Sequence, residues 1–443
     1  MFYQKLGVMR INQPSNFSFF LFRGKFLPVM KKKSPLPFIF FTVFLDLVGF
    51  GILIPVIPLL LANPRSPYFL LPAGTPVSQG YILLGFLVAT FSLGQFFATP
   101  ILGQLSDKFG RKKLLAISLF GTCISYVFFA LGIVMKSIPI LFLARGLDGI
   151  TGGNISVAQA AVADISTPQN RAKNFGLIGS AFGLGFILGP YIGGKLSDPS
   201  LVSWFNATTP FWFAALLSLA NVISILLFFQ ETRVNVGPAA SINWNKSIRN
   251  IIDAYGMKKL RALFAVNLLF QSGFAFFTTF FSVFLIQKFS FTQGNIGDFF
   301  AYVGLWIAFT QGFLVRRAAK RFTEYKILRV TILGVGFSLL LYFLPSSWTG
   351  LLFIVPVFAI CNGFSQVNMV ALVSRSADPS IQGEILGINS SIGALAQSIP
   401  PILSGFIAAA LTPESPIIIS SIIIVLSGLL FIRFYNPQNY ALQ

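Results

Sequence analysis

The chain has 443 residues, of which 55% are hydrophobic and only 10% are charged. A soluble domain carries about 25% charged residues, so this composition cannot cover a surface in water and indicates an integral membrane protein. Lys and Arg number 32 against 12 Asp and Glu, and His is absent, which excludes Ser–His catalysis, His metal ligation and a His pH switch. Cys123 and Cys361 lie far apart in apolar runs, which excludes a disulfide framework and a Cys-based metal site.

Residues 1–36 are predicted to form an N-terminal cytoplasmic extension. Residues 19–22 are apolar, but this run is too short to cross a membrane, and no small-residue cleavage site follows it. Met30 and the three lysines after it are typical of an ordinary start just before a first span. We therefore interpret residues 1–29 as a flexible extension or a start-site artefact, and not as a cleaved signal.

Residues 37–434 contain twelve apolar runs, each long enough for a helix that crosses a membrane. Their length and their lack of alternation between polar and apolar residues exclude membrane strands. Turn-forming segments such as residues 63–67 and 412–416 separate the runs. The predicted spans are 37–61, 81–102, 114–134, 138–163, 172–195, 209–229, 261–287, 295–315, 325–344, 349–374, 384–411 and 416–434.

The basic residues are divided unequally between the two sides of the predicted bundle. Both termini and the loops after the even-numbered spans share one side, which carries 27 of the 32 Lys and Arg residues, whereas the other side carries four. Cytoplasmic loops of membrane proteins are enriched in Lys and Arg. The bias therefore predicts that both termini are cytoplasmic, and it explains the high charge without a nucleic-acid partner.

The longest polar segment, residues 230–260, divides the spans into six and six. A single shift of the numbering superposes Gly152 on Gly363, Gly176 on Gly387, Pro190 on Pro401 and Gly194 on Gly405. We predict two six-helix pseudo-repeats around a midplane site, as in many secondary transporters. The predicted domains are the extension (1–36), a first bundle (37–229), a cytoplasmic linker (230–260), a second bundle (261–434) and a C-terminal tail (435–443).

The loop between spans 2 and 3 combines glycines with charges. It reads Gly103-Gln104-Leu105-Ser106-Asp107-Lys108-Phe109-Gly110-Arg111-Lys112-Lys113. Glycines permit a tight turn, and an acid among cations at a helix end can hold two helices in one arrangement and release them in another. A loop whose basic residues only oriented the protein in the membrane would need neither the glycines nor the Asp. The segment resembles the signature loop of the major facilitator superfamily, G-x-L-[AS]-D-[RK]-x-G-R-[RK], at every defined position.

Span 5 contains a run rich in glycine, Gly183-Leu184-Gly185-Phe186-Ile187-Leu188-Gly189-Pro190-Tyr191-Ile192-Gly193-Gly194. Proline removes a backbone donor and kinks a helix, while glycines allow close packing against a neighbour. Ordinary packing of small residues would also explain the run. It resembles the G-P-x-x-G-G antiporter signature of the same superfamily, which implies an antiporter motif made of Gly185, Gly189, Pro190, Gly193 and Gly194.

Three ionisable residues lie deep inside predicted spans: Asp46 in span 1, and Arg145 and Asp148 in span 4. An embedded carboxylate costs about 2.5–3.5 kcal/mol on insertion scales, and such groups usually line a substrate or proton path. Arg145 and Asp148 share one helix face, where they can also form a purely structural ion pair. Because span 1 offers Asp46 no cation, Asp46 is predicted to carry the proton, provided that Arg145 does not reach across to span 1.

Residues 38–232, and more thinly 376–405, resemble tetracycline-type efflux proteins, a drug:proton antiporter branch of the superfamily. The likeness rests on the Asp46 segment, Gln95, the stretch 145–194 and residues 382–387. It implies a proton-coupling and substrate cavity lined by Asp46, Gln95, Arg145 and Asp148. It also implies a cytoplasmic gate formed by Gly103, Asp107, Gly110, Arg111 and Asp164.

The sequence departs from that branch at several positions. Those exporters also use acids in spans 3 and 9 and a His in span 8, whereas the predicted spans 3 and 9 contain no acid and the chain contains no His. We therefore do not expect it to export a metal-chelated tetracycline. The second-half counterpart of the signature loop, residues 312–322, keeps basic residues but lacks the Asp.

These features predict a proton-coupled antiporter that exports a small, drug-like or amphipathic organic molecule by alternating access, with no enzymatic activity and no cofactor besides the proton. The alternative is a proton-coupled importer or exchanger of a metabolite, which the direction of flux in inverted vesicles would distinguish. A receptor or scaffold on this fold would be expected to lose its membrane charges. An ATP-driven pump is disfavoured because the chain lacks a G-x-x-x-x-G-K-[ST] phosphate loop.

The expected fold is all-α, with twelve transmembrane helices of the major facilitator type. We expect a monomer in a bacterial inner membrane, or alternatively in a eukaryotic plasma or organelle membrane, with a small-molecule substrate and the lipid bilayer as its partners. Polar residues of the second-half spans either line the pocket or make packing hydrogen bonds: Gln271, Asn362, Gln366, Asn389 and Gln397.

Overall fold

A computed structural model of the chain describes residues 35–167, 170–233, 242–257, 260–376 and 382–435. Residues 1–34 and 436–443, which make up most of the predicted extension and tail, lie outside the described residues. Residues 35–443 belong to one compact unit. Within its described part, every regular element is helical, as the long apolar runs predict.

Seven helices precede the linker segment: α1 (Leu36–Leu61), α2 (Val77–Phe109), α3 (Arg111–Val134), α4 (Ile138–Thr151), α5 (Asn154–Asp164), α6 (Arg171–Leu196) and α7 (Thr209–Phe228). The linker contains α8 (Lys246–Gly256), which the sequence analysis missed. Eight more follow: α9 (Arg261–Phe289), α10 (Gln293–Phe309), α11 (Val315–Ala318), α12 (Glu324–Leu341), α13 (Trp348–Arg375), α14 (Gln382–Ala396), α15 (Ile399–Ala410) and α16 (Ser415–Phe434).

Each of the twelve predicted spans coincides with one helix or with two or three helical segments in succession. Ten helical segments of the described chain are long and apolar enough to cross a membrane. The fourth predicted span is not continuous, because it breaks between α4 and α5 at two adjacent glycines, Gly152 and Gly153. The ninth, α12, has 18 residues and carries Glu324, Lys326 and Arg329 in its first turns. The acid-free span 9 of the sequence analysis therefore gains Glu324 at its start, where it pairs with Arg375 at 3.0 Å.

Two further spans depart from a regular helix. The eleventh divides into α14 and α15, because Pro400 and Pro401 lack the backbone N–H groups that would continue the ladder. The eighth passes through a π-helical turn, Thr310–Leu314, between α10 and α11. Such turns occur frequently at functional sites.

Glycines set the contact between the two halves of the chain, whose main pairings are α6 with α10 and α2 with α15. A Cβ added at Gly194 would lie 2.9 Å from the Cα of Gly297, and one at Gly405 would lie 2.7 Å from the carbonyl oxygen of Tyr81. Gly194 and Gly405 are two of the positions that the shifted numbering superposes. Both contacts lie at one end of the bundle, which we call the opposite end and which also contains the ends of α1 and α6.

The other end of the bundle is the basic end, where α2 meets α3 at Gly110. The residues of α6 at 194, 187, 183 and 176 follow one helix face. Ile187 fills the space at Gly304, whereas a Cβ at Gly183 would approach Gln311 only to 4.0 Å, and one at Gly176 would meet no described atom within 4 Å. Along this face of α6, the described contacts with the second half therefore become sparser from the opposite end to the basic end.

Candidate functional site

The signature loop holds a charge network at the basic end. The Arg111 side chain is only 6% exposed, and its Nε donates to Asp164 Oδ2 at 2.9 Å. Its Nη2 contacts Asp107 Oδ1 at 2.8 Å and its Nη1 donates to Ser106 Oγ at 2.5 Å. Gly110 has a φ of 92°, a conformation that favours glycine, and it turns the chain from α2 into α3. One buried guanidinium thus links three helices, with Asp164 at the end of α5.

Two charged residues that the sequence analysis missed complete this network. Glu231 Oε1 accepts from the backbone N–H of Arg111 at 2.9 Å, and Oε2 accepts from that of Lys112 at 3.1 Å. A carboxylate is favoured at these first N–H groups of a helix. Arg233 pairs with Asp107. Residues 231–233 are the first charged cluster after the apolar run of α7, which is the signal that could have identified them.

The partners given above for the predicted gate residues lie in the first half of the chain or at the start of the linker. Gly103 lies beside Ser156 of α5, whose Oγ a Cβ at position 103 would meet at an ordinary contact distance of 3.6 Å. The predicted gate residues Asp107, Arg111 and Asp164 are brought together with one another, and the hydrogen bonds and ion pairs described for them do not reach α9–α16.

The glycine-rich run of α6 packs directly on α1. A Cβ at Gly189 would lie 2.8 Å from both Gly51 Cα and Val48 O, and one at Gly193 would lie 2.7 Å from Ile52 Cα. Gly185 faces Leu47 in the same way, and Pro190 contacts Gly51. Gly194 points instead at the second half. The predicted antiporter motif therefore fixes the turn of α1 that carries Asp46, the neighbour of Leu47.

Asp46 is half-buried in the first half, and no described cation forms an ion pair with it. Its Oδ2 atom is buried and has no hydrogen-bond partner among the described residues. The Asn154 amide and the Asp148 carboxyl are its polar neighbours, but Asn154 makes no regular hydrogen bond to it. Asn154 begins α5, directly after the helix break, so the break brings a polar side chain to Asp46.

Arg145 pairs with Asp148 and not with Asp46. Its Nη1 donates to Asp148 Oδ2 at 2.9 Å, and the two side chains are only 2% and 8% exposed. The guanidinium carbon lies 4.4 Å from the centroid of the Phe91 ring, a cation–π distance. Arg145 and Asp148 therefore form the ion pair that their spacing of three residues predicts, and Arg145 does not reach across to span 1.

Tyr126 of α3 is a member of this cluster that the sequence analysis missed. It is 3% exposed, and Asp46, Arg145 and Asp148 are its charged neighbours. Its hydroxyl occupies the space that a side chain at Gly49 would need. A lone Tyr in an apolar run carries no signal of this role, because only the packing of α3 on α1 and α4 brings it to the acids.

Gln95 is close to this cluster but makes its hydrogen bond to the break between α4 and α5. Its Nε2 donates to the carbonyl oxygen of Gly152 at 3.2 Å, a group that the break at Gly152–Gly153 leaves without a helical partner. Gln95 is half-buried between α2 and this break. The structure thus places it beside α4 and α5.

The polar residues of the second-half spans divide between packing and a pocket. Gln271 and Gln366 bond each other at 3.5 Å, and Asn389 accepts from Asn267 at 2.9 Å. Gln397, in the turn after α14, donates to the carbonyl oxygen of Gly393 at 3.4 Å. Asn362 instead lines an aromatic pocket, and neither its Oδ1 nor the Tyr342 hydroxyl there has a described partner. The other main residues of the pocket wall are Phe186, Phe277, Phe281, Phe299, Phe300 and Phe358.

Comparisons with known proteins agree with this architecture. The chain is 31% identical over 395 residues to the tetracycline resistance protein, class C, of Escherichia coli, covering 86% of this chain and 91% of the relative. It is 29% identical to the class H protein of Pasteurella multocida, covering 82% and 86%. It also matches the crystal structure of the human organic anion transporter MFSD10 (TETRAN), with a TM-score of 0.67, 24% identity and coverage of 90% and 99%.

The predicted all-helical membrane fold is confirmed by these matches. The family model described as Major Facilitator Superfamily matches residues 39–401 and 263–441. The part of the chain that the structure describes contains ten apolar helical segments of membrane-crossing length. The chain is therefore a multi-pass integral membrane protein and belongs to the major facilitator superfamily.

Proposed function

We propose that the protein is a proton-coupled antiporter that exports a small organic molecule by alternating access. Its relatedness to tetracycline resistance proteins supports an export role. The contacts between the halves, which become sparser toward the basic end, support a cargo pathway. The close contact of α1 with the glycine run of α6 supports antiport, because that run resembles the antiporter signature.

The observation that carries the proposal is the Asp46 carboxyl, which has no described cation and whose buried Oδ2 has no described hydrogen-bond partner. An isolated charge is costly in the membrane interior, so a carboxyl without a cation is suited to bind and release a proton. Asp148 differs because Arg145 holds it in an ion pair. Asp46 therefore carries the coupling proton, and Asp148 keeps Arg145 and the adjacent helix break in place.

Alternating access follows from the two ends of the bundle. In the present arrangement the opposite end is closed by glycine contacts, and the basic end is open. We place the basic end in the cytoplasm because 27 of the 32 Lys and Arg residues belong to that side. Cargo enters from the cytoplasm, the halves rock about the site, and a proton returns on Asp46 in exchange.

Inverted membrane vesicles test this function directly. Respiration acidifies their interior, and a pH-sensitive dye reports protons that leave when a test compound enters. We expect an amphipathic compound such as ethidium to cause proton release and to accumulate inside vesicles that contain the protein. Movement of the compound out of the vesicles together with the proton would instead indicate the importer. The absence of any compound-dependent proton movement across a broad panel would contradict proton coupling.

A further inference from the structure

The linker helix α8 is amphipathic, but the side that it turns toward the protein is not its most apolar side. Its side of small and polar residues, Ser247, Asn250 and Ala254, is buried against the bundle, and Ile251 is partly buried beside it. Most of its large apolar side chains point away from the protein. They are Trp244 just before the helix, then Ile248, Ile252 and Tyr255, exposed by 65%, 47%, 65% and 82%. An apolar stripe that avoids the protein needs another apolar environment.

The hydrogen bonds of α8 place it at the depth of the lipid chains. Ser247 Oγ donates to the carbonyl oxygen of Phe96 at 2.7 Å, and Asn250 Nδ2 donates to Ser391 Oγ at 2.9 Å. Phe96 lies six residues inside the apolar part of α2, whose basic-end limit is Leu102. This corresponds to about 9 Å along the helix axis. Amphipathic helices at a membrane surface bury their apolar face by about 5–10 Å.

The third side of α8 is charged. Lys246 and Arg249 make no ion pair with a described residue, and Asp253 follows them one turn later. The sequence continues with Lys258, Lys259 and Arg261, so the segment is strongly basic. Basic side chains beside a helix at the interface attract anionic headgroups, which are enriched in the cytoplasmic leaflet.

We propose that α8 is a binding site for anionic phospholipid. The acyl chains cover the stripe of Trp244, Ile248, Ile252 and Tyr255, while Lys246 and Arg249 contact the headgroup. The site rests on the membrane location of the chain and not on proton coupling, so it stands or fails separately from the transport function.

The same helix connects lipid to the conformation of the transporter. Through Ser247 it holds α2 of the first half, and through Asn250 it holds α14 of the second half. Asn243 adds a bond to Gln104 of α2, with its N–H donating to Oε1 at 2.8 Å. Closure of the basic end moves α2 relative to α14 and breaks one of these attachments. Lipid bound to α8 therefore favours the state that is open at the basic end, because it binds that state better.

Fluorescence of Trp244 tests the lipid contact. The chain has five Trp residues, and the difference between the parent and the Trp244→Phe variant isolates the emission of Trp244. In proteoliposomes, we expect lipid brominated on the upper acyl chain to quench this emission, and brominated phosphatidylglycerol to quench it more than brominated phosphatidylcholine at equal fraction. Quenching by aqueous iodide without quenching by lipid would overturn the site, and equal quenching by the two lipids would overturn its anionic specificity.

Charge variants separate headgroup binding from general insertion. Lys246→Gln and Arg249→Gln should each lower the preference for phosphatidylglycerol about fivefold, the equivalent of about 1 kcal/mol. Arg317→Gln, an exposed basic residue at the same end outside α8, is the matched control and should leave the preference unchanged. An equal loss in the control would mean that only the overall charge attracts lipid, and would contradict a site on α8.

Spin labels read the effect on conformation. Gly176→Cys on α6 and Gly387→Cys on α14 have open space around them, so labels fit there without displacing a described neighbour. With both native cysteines replaced, we expect phosphatidylglycerol to increase the fraction of the long label-to-label distance, and the Lys246→Gln, Arg249→Gln double variant to lose this response. A distance distribution that ignores the lipid in the parent would refute the conformational link.

Discussion

At the scale of single residues, two embedded acids of one half have different partners. Asp148 has Arg145 at 2.9 Å, whereas Oδ2 of Asp46 is buried without a hydrogen-bond partner among the described residues. Removal of one member of a buried ion pair strands the other charge, which costs about 3–5 kcal/mol. Asp46 strands no cation when it is neutralised. A neutral substitution should therefore lower stability at Asp148 but not at Asp46.

We predict that Asp46→Asn abolishes proton-driven accumulation of cargo but still permits exchange down a gradient. Asparagine keeps the shape of the side chain and cannot bind or release the coupling proton. Substrate-induced proton release, measured with a pH-sensitive dye, should vanish in the same variant. Its thermal stability should remain close to that of the parent.

Asp148→Asn is the matched control, since it should lower stability by leaving Arg145 buried and unpaired. Accumulation against a gradient by Asp46→Asn would move the coupling role elsewhere, with Asp148 as the first candidate. A large loss of stability in Asp46→Asn would also argue against an unpaired carboxyl.

Asp107 illustrates a charge that acts on conformation and not on cargo. It contacts Arg111 and Arg233 at the basic end, and its side chain is 51% exposed. We predict that Asp107→Asn slows transport severalfold while cargo affinity stays nearly unchanged, because the residue stabilises one state of the gate. Transport rate and binding affinity, measured separately in proteoliposomes and in detergent, check this. Glu414→Gln at the opposite end is the control, and equal rates in Asp107→Asn and the parent would remove the gating role.

At the scale of helices, α6 serves two neighbours with two faces. Gly185, Gly189 and Gly193 recur every four residues and bring its backbone against α1. Gly176, Gly183 and Gly194 lie on the face turned toward the second half. One helix therefore anchors the turn that carries Asp46 and also forms part of the moving interface.

We predict that Gly189→Ala lowers the free energy of unfolding by about 1–3 kcal/mol and impairs transport, because a Cβ there would overlap Gly51 and Val48. Gly179→Ala in the same helix is the control. Its Cβ meets no described atom within 4 Å, so it should stabilise slightly, by about 0.5–1 kcal/mol. Thermal unfolding in detergent compares the two, and equal stability would contradict the packing of α6 on α1.

At the scale of the whole molecule, the two halves are joined at the opposite end by an ion pair. Lys195 of α6 contacts Asp298 of α10 at 2.8 Å, next to the contact of Gly194 with Gly297. The pair is 29% and 53% exposed, so it is worth up to about 1 kcal/mol. It favours the conformation that is closed at this end.

We predict that Lys195→Met lowers the population open at the basic end up to about fivefold, the equivalent of the bridge energy. The distance between labels at positions 176 and 387 measures the shift. Arg65→Met, which removes an exposed cation at the same end outside the pair, should leave the distances unchanged. An unchanged distribution in Lys195→Met would mean that the pair does not bias the equilibrium.

The orientation in the membrane gives the last prediction. With 27 of 32 basic residues on one side, both termini should be cytoplasmic. Reporters fused to each terminus, one active only in the cytoplasm and one active only outside, measure the sidedness. An external score at either terminus would overturn the charge-bias interpretation and would reverse the direction of flux assigned to this conformation.

Features that depend on local composition can be predicted from the amino-acid sequence alone. Length and apolarity of each run specify a membrane helix, because the bilayer core has a defined thickness and backbone groups must bond internally. The spacing of Arg145 and Asp148 specifies their ion pair, because residues three apart share a helix face. The signature loop likewise identifies Asp107 and Arg111 as candidate gate residues, and their side chains form an ion pair at 2.8 Å.

Contacts between residues far apart in the sequence become visible only in the tertiary structure. Glu231 reaches the start of α3 from 120 residues away, Tyr126 and Asn154 come to Asp46 through the packing of three helices, and Arg145 chooses Asp148 over Asp46. No local pattern encodes such contacts, since they depend on how glycine faces allow helices to approach. The sparse contacts between the halves at the basic end are of the same kind, because a transporter sequence is compatible with an opening at either end and only the packing of the helices distinguishes the two.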